Sequence, residues 1–315
     1  MIEVKNLGKK YGSFEAVKDV SFSIDKGEIV GLLGPNGAGK TTIMKILTCY
    51  HYPSSGTAFL NGSSVVENAL EVKRSIGYLP ENAPLYTDLN VAEYLDFIAD
   101  SRELGEARSE KMDKVIDECG LAEVLYKPID KLSKGYKQRV GLAQAIMHDP
   151  SILILDEPTT GLDPNQIMEI RNLIRKLGKE KTVILSTHIL QEVEAVCHRV
   201  LILNEGNIIA RGTTEEIGRE LKGDTIFLVS FKTNNPGALD KSLASLSLLK
   251  SVVAREEKAG GIVNVHLSVN QDSEAGESIF DMAVRDGHKI LSMYKRSISL
   301  EDIFVKLTGE GGSNG

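Results

Sequence analysis

The chain has 315 residues, 42% of them hydrophobic and 26% charged, and a net charge of −7. This length allows about two domains, and the globular composition excludes a disordered or fibrous chain. An acidic chain argues against non-specific nucleic-acid binding, which needs basic patches, and three scattered cysteines (Cys49, Cys119, Cys197) provide neither a disulfide framework nor a zinc site.

The opening MIEVKNLGKK holds no apolar core of the signal-peptide kind. No stretch reaches the roughly 18 apolar residues of a membrane span. A reducing compartment is therefore expected, with any membrane role exerted through a partner. Residues 2–33 read as strands, ending in the near-continuous apolar run EIVGLLG. A Gly-rich turn and the helical pattern TTIMKILTCYH follow. GTAFLNG and SIGYLP read as short strands, and residues 91–147 as helical. SILILDEP is a buried strand, PNQIMEIRNLIRKLG a helix, KTVILSTH a strand and HRVLILNEGNIIARG a hairpin. Strands alternating with helices predict a largely parallel α/β core, with antiparallel strands at the start.

The texture changes near Lys222-Gly223. TIFLVSF, LLKSVVAR, GIVNVHLSV and HKILSMY read as strands, with helices over PGALDKSLASL and SEAGESIFDMAVRDG. Ala275, Ile279, Met282 and Ala283 share one face of the second helix. The order β-α-β-β-α-β predicts a small ferredoxin-like α+β domain over 223–308. Its His266 falls opposite its apolar neighbours, and both His266 and His288 read as structural. A last helix over 299–308 carries the stripe Leu300, Ile303, Phe304 and Leu307. The Gly/Ser-rich tail 309–315 reads as disordered.

Residues 34–41, GPNGAGKT, fit G-x-x-x-x-G-K-[ST] between a strand and a helix. Glycines let backbone N–H groups turn toward phosphate oxygens, and the helix N-terminus adds positive potential. Lys40 is placed for the β- and γ-phosphates, and Thr41 for Mg²⁺. ILILDE at 152–157 buries a strand and delivers two carboxylates at its end. Asp156 is a candidate Mg²⁺ ligand, and Glu157 a candidate general base toward water.

With LSKGYKQR at 132–139 the chain resembles ATP-binding-cassette (ABC) ATPases, in the LSKG form of the LSGGQ signature. The similarity covers roughly residues 1–220, a P-loop NTPase domain with a helical subdomain at about 88–147. The resemblance implies that Gly34, Pro35, Asn36, Gly37, Ala38, Gly39, Lys40, Thr41 and Thr42 hold the phosphates of MgATP. It implies that Tyr11 stacks on adenine and that His188 in LSTH acts at the γ-phosphate. Gly161-Leu162-Asp163 matches the D-loop. The family also implies a head-to-tail dimer, in which Ser133 and Gly135 of one subunit meet ATP held by the other. The close approach of that second chain would account for the glycine at 135. Glu81, in GYLPEN, stands where the family usually has a glutamine, and can still approach Mg²⁺. Lys134 and Tyr136 replace a signature glycine and glutamine, leaving Lys134 either as cationic support or facing solvent.

One cassette with a short helical insertion favours a transporter subunit whose permease is a separate chain. SISLEDIFVKLTG resembles the ending of ABC-2-type exporter ATPases, and IGYLPENAPLYTDLNVAEYL is similar to gliding-motility-associated subunits. The resemblance implies a homodimeric ATPase, cytoplasmic and held at the inner face of the cell membrane by its permease. A soluble cassette ATPase, or an importer subunit with a regulatory C-terminal domain, remains an alternative.

Overall fold

The computed structural model describes residues 2–213, 216–217, 225–233, 235–269 and 275–296. The chain divides into two compact units, Met1–Thr214 and Glu215–Gly315. The boundary read at 222/223, the helix over 299–308 and the tail 309–315 lie outside the described residues.

The first unit contains two sheets. One is antiparallel and consists of β1 (Ile2–Tyr11), β2 (Phe14–Ile24), β4 (Ser55–Leu60) and β5 (Ser63–Ser64), ordered β2-β1-β4-β5. The other consists of β3 (Ile29–Leu33), β6 (Ile76–Leu79), β7 (Ile152–Asp156), β8 (Thr182–Thr187), β9 (Arg199–Asn204) and β10 (Asn207–Gly212). Its order is β10-β9-β3-β8-β7-β6, parallel except for the edge strand β10.

Both faces of the parallel sheet are covered, which is why its strands read as continuous apolar runs. In β7, Ile152 and Ile154 face a core shared with β1, β2, β4 and the helix α1 (Lys40–Leu47). Leu153 and Leu155 face a second core. That core is built with α3 (Val91–Ser101), α4 (Arg108–Glu118), α5 (Lys134–Ile146) and α6 (Pro164–Gly178). A capping box between Asn90 and Glu93 starts α3. Asp163 caps α6, with Pro164 in its first turn and Ile170, Ile174 and Leu177 on its buried side.

Three local details depart from the pattern read in sequence. The helix α1 stops at Leu47, because Cys49 takes a left-handed conformation (φ 55°), so TCYH does not extend it. The region 91–147 is broken by turns between α4 and α5. Two helices, α2 (Ala69–Ser75) and α7 (Leu190–Val196), are too short for helical periodicity to show; α2 buries Val72 alone.

The second unit has four strands, β11 (Thr225–Lys232), β12 (Leu249–Lys258), β13 (Ile262–Val269) and β14 (Lys289–Arg296). Their order is β12-β13-β11-β14 with antiparallel neighbours throughout. Helices Pro236–Ala244 and Ala275–Arg285 complete the split βαβ arrangement of a ferredoxin-like fold. Phe227, Val229 and Phe231 pack with Val263, Val265 and Leu267 against Leu239, Leu243, Ile279 and Met282. His266 is half-buried, and its neighbours Val265 and Leu267 are fully buried. His288 is buried, its ring nitrogens meeting Thr233 Oγ1 at 3.1 Å and Ser242 Oγ at 3.3 Å, a structural arrangement.

In β6, a Cβ at Gly77 would collide with the Ala145 carbonyl oxygen of α5. Gly77→Ala should therefore lower the thermal midpoint by several degrees, since such overpacking costs about 1–3 kcal/mol. Circular dichroism melts provide the check. A variant melting like wild type would contradict the close approach of α5 to β6.

Candidate active site

The sheet order places the carboxyl ends of β3, β8 and β7 side by side, where open α/β sheets bind ligands. From β3 the chain enters the loop 34–39 and then α1. Gly37 (φ 83°) and Gly39 (φ 104°) adopt backbone conformations that L side chains rarely take. Gly39 caps α1 without a side-chain bond, and no acidic residue occupies the first turn. The first N–H groups of the helix are thus left for an anion. Lys40, only 6% exposed, donates from Nζ to the carbonyls of Gly34 (2.7 Å) and Pro35 (3.2 Å). It also lies 3.5 Å from Glu157 Oε1.

At the end of β7, Asp156 is 1% exposed. Its Oδ1 accepts from Ser186 Oγ at 2.5 Å and from Thr41 Oγ1 at 3.3 Å. Burial pushes its carboxyl above the usual range, opposed by these two hydrogen bonds. Glu157 follows in a left-handed conformation (φ 49°), uncommon for a residue with a side chain. Its backbone N–H donates to Ser186 Oγ at 2.9 Å. Its Oε2 accepts from Thr160 Oγ1 at 3.2 Å and meets His188 Nδ1 at 2.9 Å.

Glu157, Thr160 and His188 line a cleft of about 330 Å³ together with Asn36–Thr42, Glu81, Tyr11 and Phe14, while Asp156 and Ser186 lie buried behind Thr41. Tyr11 and Phe14 are cross-strand partners, 43% and 61% exposed, whose aromatic surface is of the kind that suits a planar ring. Gly34 and Pro35 contribute through their carbonyls to Lys40. Ser133, Gly135 and Asp163 are not among the residues lining this cleft.

Ser133 is the N-cap of α5, accepting from Tyr136 N at 3.4 Å. Asp163 Oδ1 accepts from Gln166 N at 3.0 Å. A Cβ at Gly135 would meet only the far end of the Gln166 side chain, which can move aside, so this contact does not by itself require the glycine. Lys134 is exposed, and its ammonium lies against Gly161. Tyr136 is partly buried, with Arg139 over its ring at 5.5 Å.

Ser186, Thr160 and Phe14 fall outside the motifs legible in the sequence. Ser186 has a faint signal, two residues before His188 at the end of a strand beside β7. Thr41 and Asp156 form a hard-oxygen donor pair that suits Mg²⁺ shared with phosphate oxygens. Among the described residues no group of three or more His, Cys, Asp or Glu side chains could hold a metal on protein ligands alone.

A family model described as ABC transporter matches residues 17–160. A second, the C-terminal domain of DrrA1-3-like ATP-binding proteins, matches residues 212–308. The uncharacterized ABC transporter ATP-binding protein YxlF of Bacillus subtilis is 34% identical over 98% of this chain and 99% of its own. The chain belongs to the ABC transporter ATP-binding proteins. The bacitracin transport ATP-binding protein BcrA of Bacillus licheniformis is 34% identical, covering 99% of this chain and 98% of its own. The linearmycin resistance ATP-binding protein LnrL of Bacillus subtilis is 33% identical, covering 98% of each. A solved ATP-binding subunit of an ABC transporter matches with TM-score 0.64 and 34% identity, over 70% of this chain and 92% of that one. The cassette MJ0796, solved as a dimer in a post-hydrolysis state with ADP and Pi, matches with TM-score 0.62 and 27% identity, over 68% of this chain and 98% of that one. As an ABC ATPase the chain binds and hydrolyses ATP. No helix of the described residues is long and apolar enough to cross a membrane.

Without nucleotide, the buried Asp156 carboxylate is the disfavoured form, so the folded chain keeps this proton to higher pH than the unfolded chain. Stability then falls as pH rises from the ordinary carboxylate range through the raised value. Asp156→Asn, lacking the charge, should melt above wild type at pH 7 without nucleotide, by a margin that closes on acidification. Melting curves at several pH values test this. A wild type equal to the variant at pH 7 would mean that Ser186 and Thr41 fully offset the burial.

Proposed function

We propose that this chain is the ATP-hydrolysing subunit of an ABC-2-type exporter whose permease is a separate chain. The observation that carries the reading is full-length similarity, through the C-terminal domain, to proteins named for bacitracin transport and linearmycin resistance. The similarity of IGYLPENAPLYTDLNVAEYL to gliding-motility subunits rests on sequence pattern alone and names no cargo. The exposed, touching rings of Tyr86 and Phe97, beyond Glu81, support a permease contact on the helical face. Such a contact would keep the chain on the cytoplasmic face of the membrane.

In this reading the adenine stacks at Tyr11, and the loop 34–39 with the start of α1 cradles the phosphates. Lys40 leaves its carbonyl partners for the β- and γ-phosphates. Thr41 and Asp156 would hold Mg²⁺, with Glu81 at the rim, and a bound ion would supply charge neutralisation at the phosphates. Glu157 accepts a proton from the attacking water, and His188, in contact with Glu157, orients the γ-phosphate. Ser133, Gly135 and Asp163 serve the cleft of a second copy, the two chains closing head to tail around ATP. The nucleotide chemistry belongs to residues 1–222, and the domain at 223–308 is accessory.

Lys40→Ala should weaken MgATP binding at least tenfold in calorimetry. Glu157→Gln should bind like wild type and lose about 10²–10⁴-fold in phosphate release, the range for a lost general base. Co-expression with the permease should raise wild-type turnover and leave Glu157→Gln inactive. Wild-type hydrolysis by Glu157→Gln would move the base to another acid of the cleft, Glu81 being the alternative. Tight MgATP binding by Lys40→Ala would overturn the phosphate-loop assignment.

A further inference from the structure

Besides Asp156 and Glu157, a third carboxylate lies buried close to the active site. Glu192, on α7, is 3% exposed and shares the buried face of the helix with Val193 and Val196, where an apolar side chain would pack without desolvation cost. Its Oε2 accepts from Thr187 Oγ1 at 2.6 Å. Its Oε1 accepts from Thr159 Oγ1 and lies 4.0 Å from Arg171 Nη2 of α6. Both hydroxyl partners are almost fully buried.

These two threonines flank the catalytic pair. Thr187 directly precedes His188, and its hydroxyl also accepts from Ile189 N at 3.0 Å. Thr159 lies two residues after Glu157 and opens the turn toward Gly161 and Asp163. One carboxylate therefore ties the strand end that carries His188 to the turn that follows Glu157, on either side of their 2.9 Å contact. A buried ionic group is weak evidence for stability, and in some proteins such groups are kept for the geometry they specify.

We propose that Glu192 is a positioning residue: through Thr159 and Thr187 it holds His188 and Glu157 in register for hydrolysis. This rests on the catalytic reading of that pair. A displacement of about 1 Å at reacting groups can lower rates up to about a hundredfold.

The test uses the full chain, measuring kcat and KM for ATP, MgATP affinity and melting temperature. Glu192→Ala should lower kcat by about ten- to a hundredfold while MgATP affinity stays within about threefold. Glu192→Gln should recover part of the rate, because its amide can accept from one threonine and donate to the other. Thr187→Val should follow Glu192→Ala, and Thr187→Ser, which keeps the hydroxyl, should follow wild type. Should Glu192→Ala not fold, the Gln variant and the two Thr187 variants carry the same test. Wild-type kcat in Glu192→Ala or in Thr187→Val overturns the proposal. So does a loss of affinity equal to the loss of kcat with no recovery in Glu192→Gln, since packing alone would give that. Glu157→Gln is assayed alongside. If it is active, the reading of the catalytic pair fails. If it is inactive while Glu192→Ala matches wild type, only the role of Glu192 fails.

Discussion

The Ser186 hydroxyl joins the two acids on which the proposed chemistry depends. It donates to Asp156 Oδ1 and accepts from the Glu157 backbone N–H. It can do both because β7 and β8 are parallel neighbours with Asp156 opposite Ser186 in register. That register is fixed by burial on both faces of β7, since a slip would drive Asp156 into an apolar core. With β8 also lying beside β3, the phosphate loop, the acidic pair and His188 emerge at one edge. The left-handed turn at Glu157 then brings its carboxylate to Lys40, Thr160 and His188 together.

The same geometry explains why Lys40 is held so closely without nucleotide. Three oxygens around its ammonium, from Gly34, Pro35 and Glu157, compensate a nearly buried charge. A γ-phosphate offers a stronger anionic partner, and in replacing Glu157 it would free that carboxylate for water. Ser133 and Asp163 each cap a helix and stand apart from the cleft. A helix N-terminus beside a small residue is a ready anion site, which is what a second subunit's nucleotide would need.

Much of this was legible in the sequence because the signals were long or chemically specific. ILIL reads as a doubly buried strand, and PNQIMEIRNLIRKLG matches α6 from first residue to last. The alternation Val263, Val265, Leu267 and Val269 marks the inner face of β13. What escaped was short or relational. α7 is too brief for helical periodicity to show, and with it went Glu192. Ser186 is an unremarkable serine until the strand order sets it against Asp156. TCYH was read as helix because nothing in its composition reveals the left-handed Cys49.

The central claim is that one chain builds half of a catalytic site and that ATP closes two copies around it. Sedimentation velocity on full-length Glu157→Gln, with and without ATP, tests this most directly. ATP should approximately double the sedimenting mass, and Ser133→Arg should abolish the shift while each cleft still binds nucleotide. A Glu157→Gln chain that binds ATP fully and stays monomeric would contradict it.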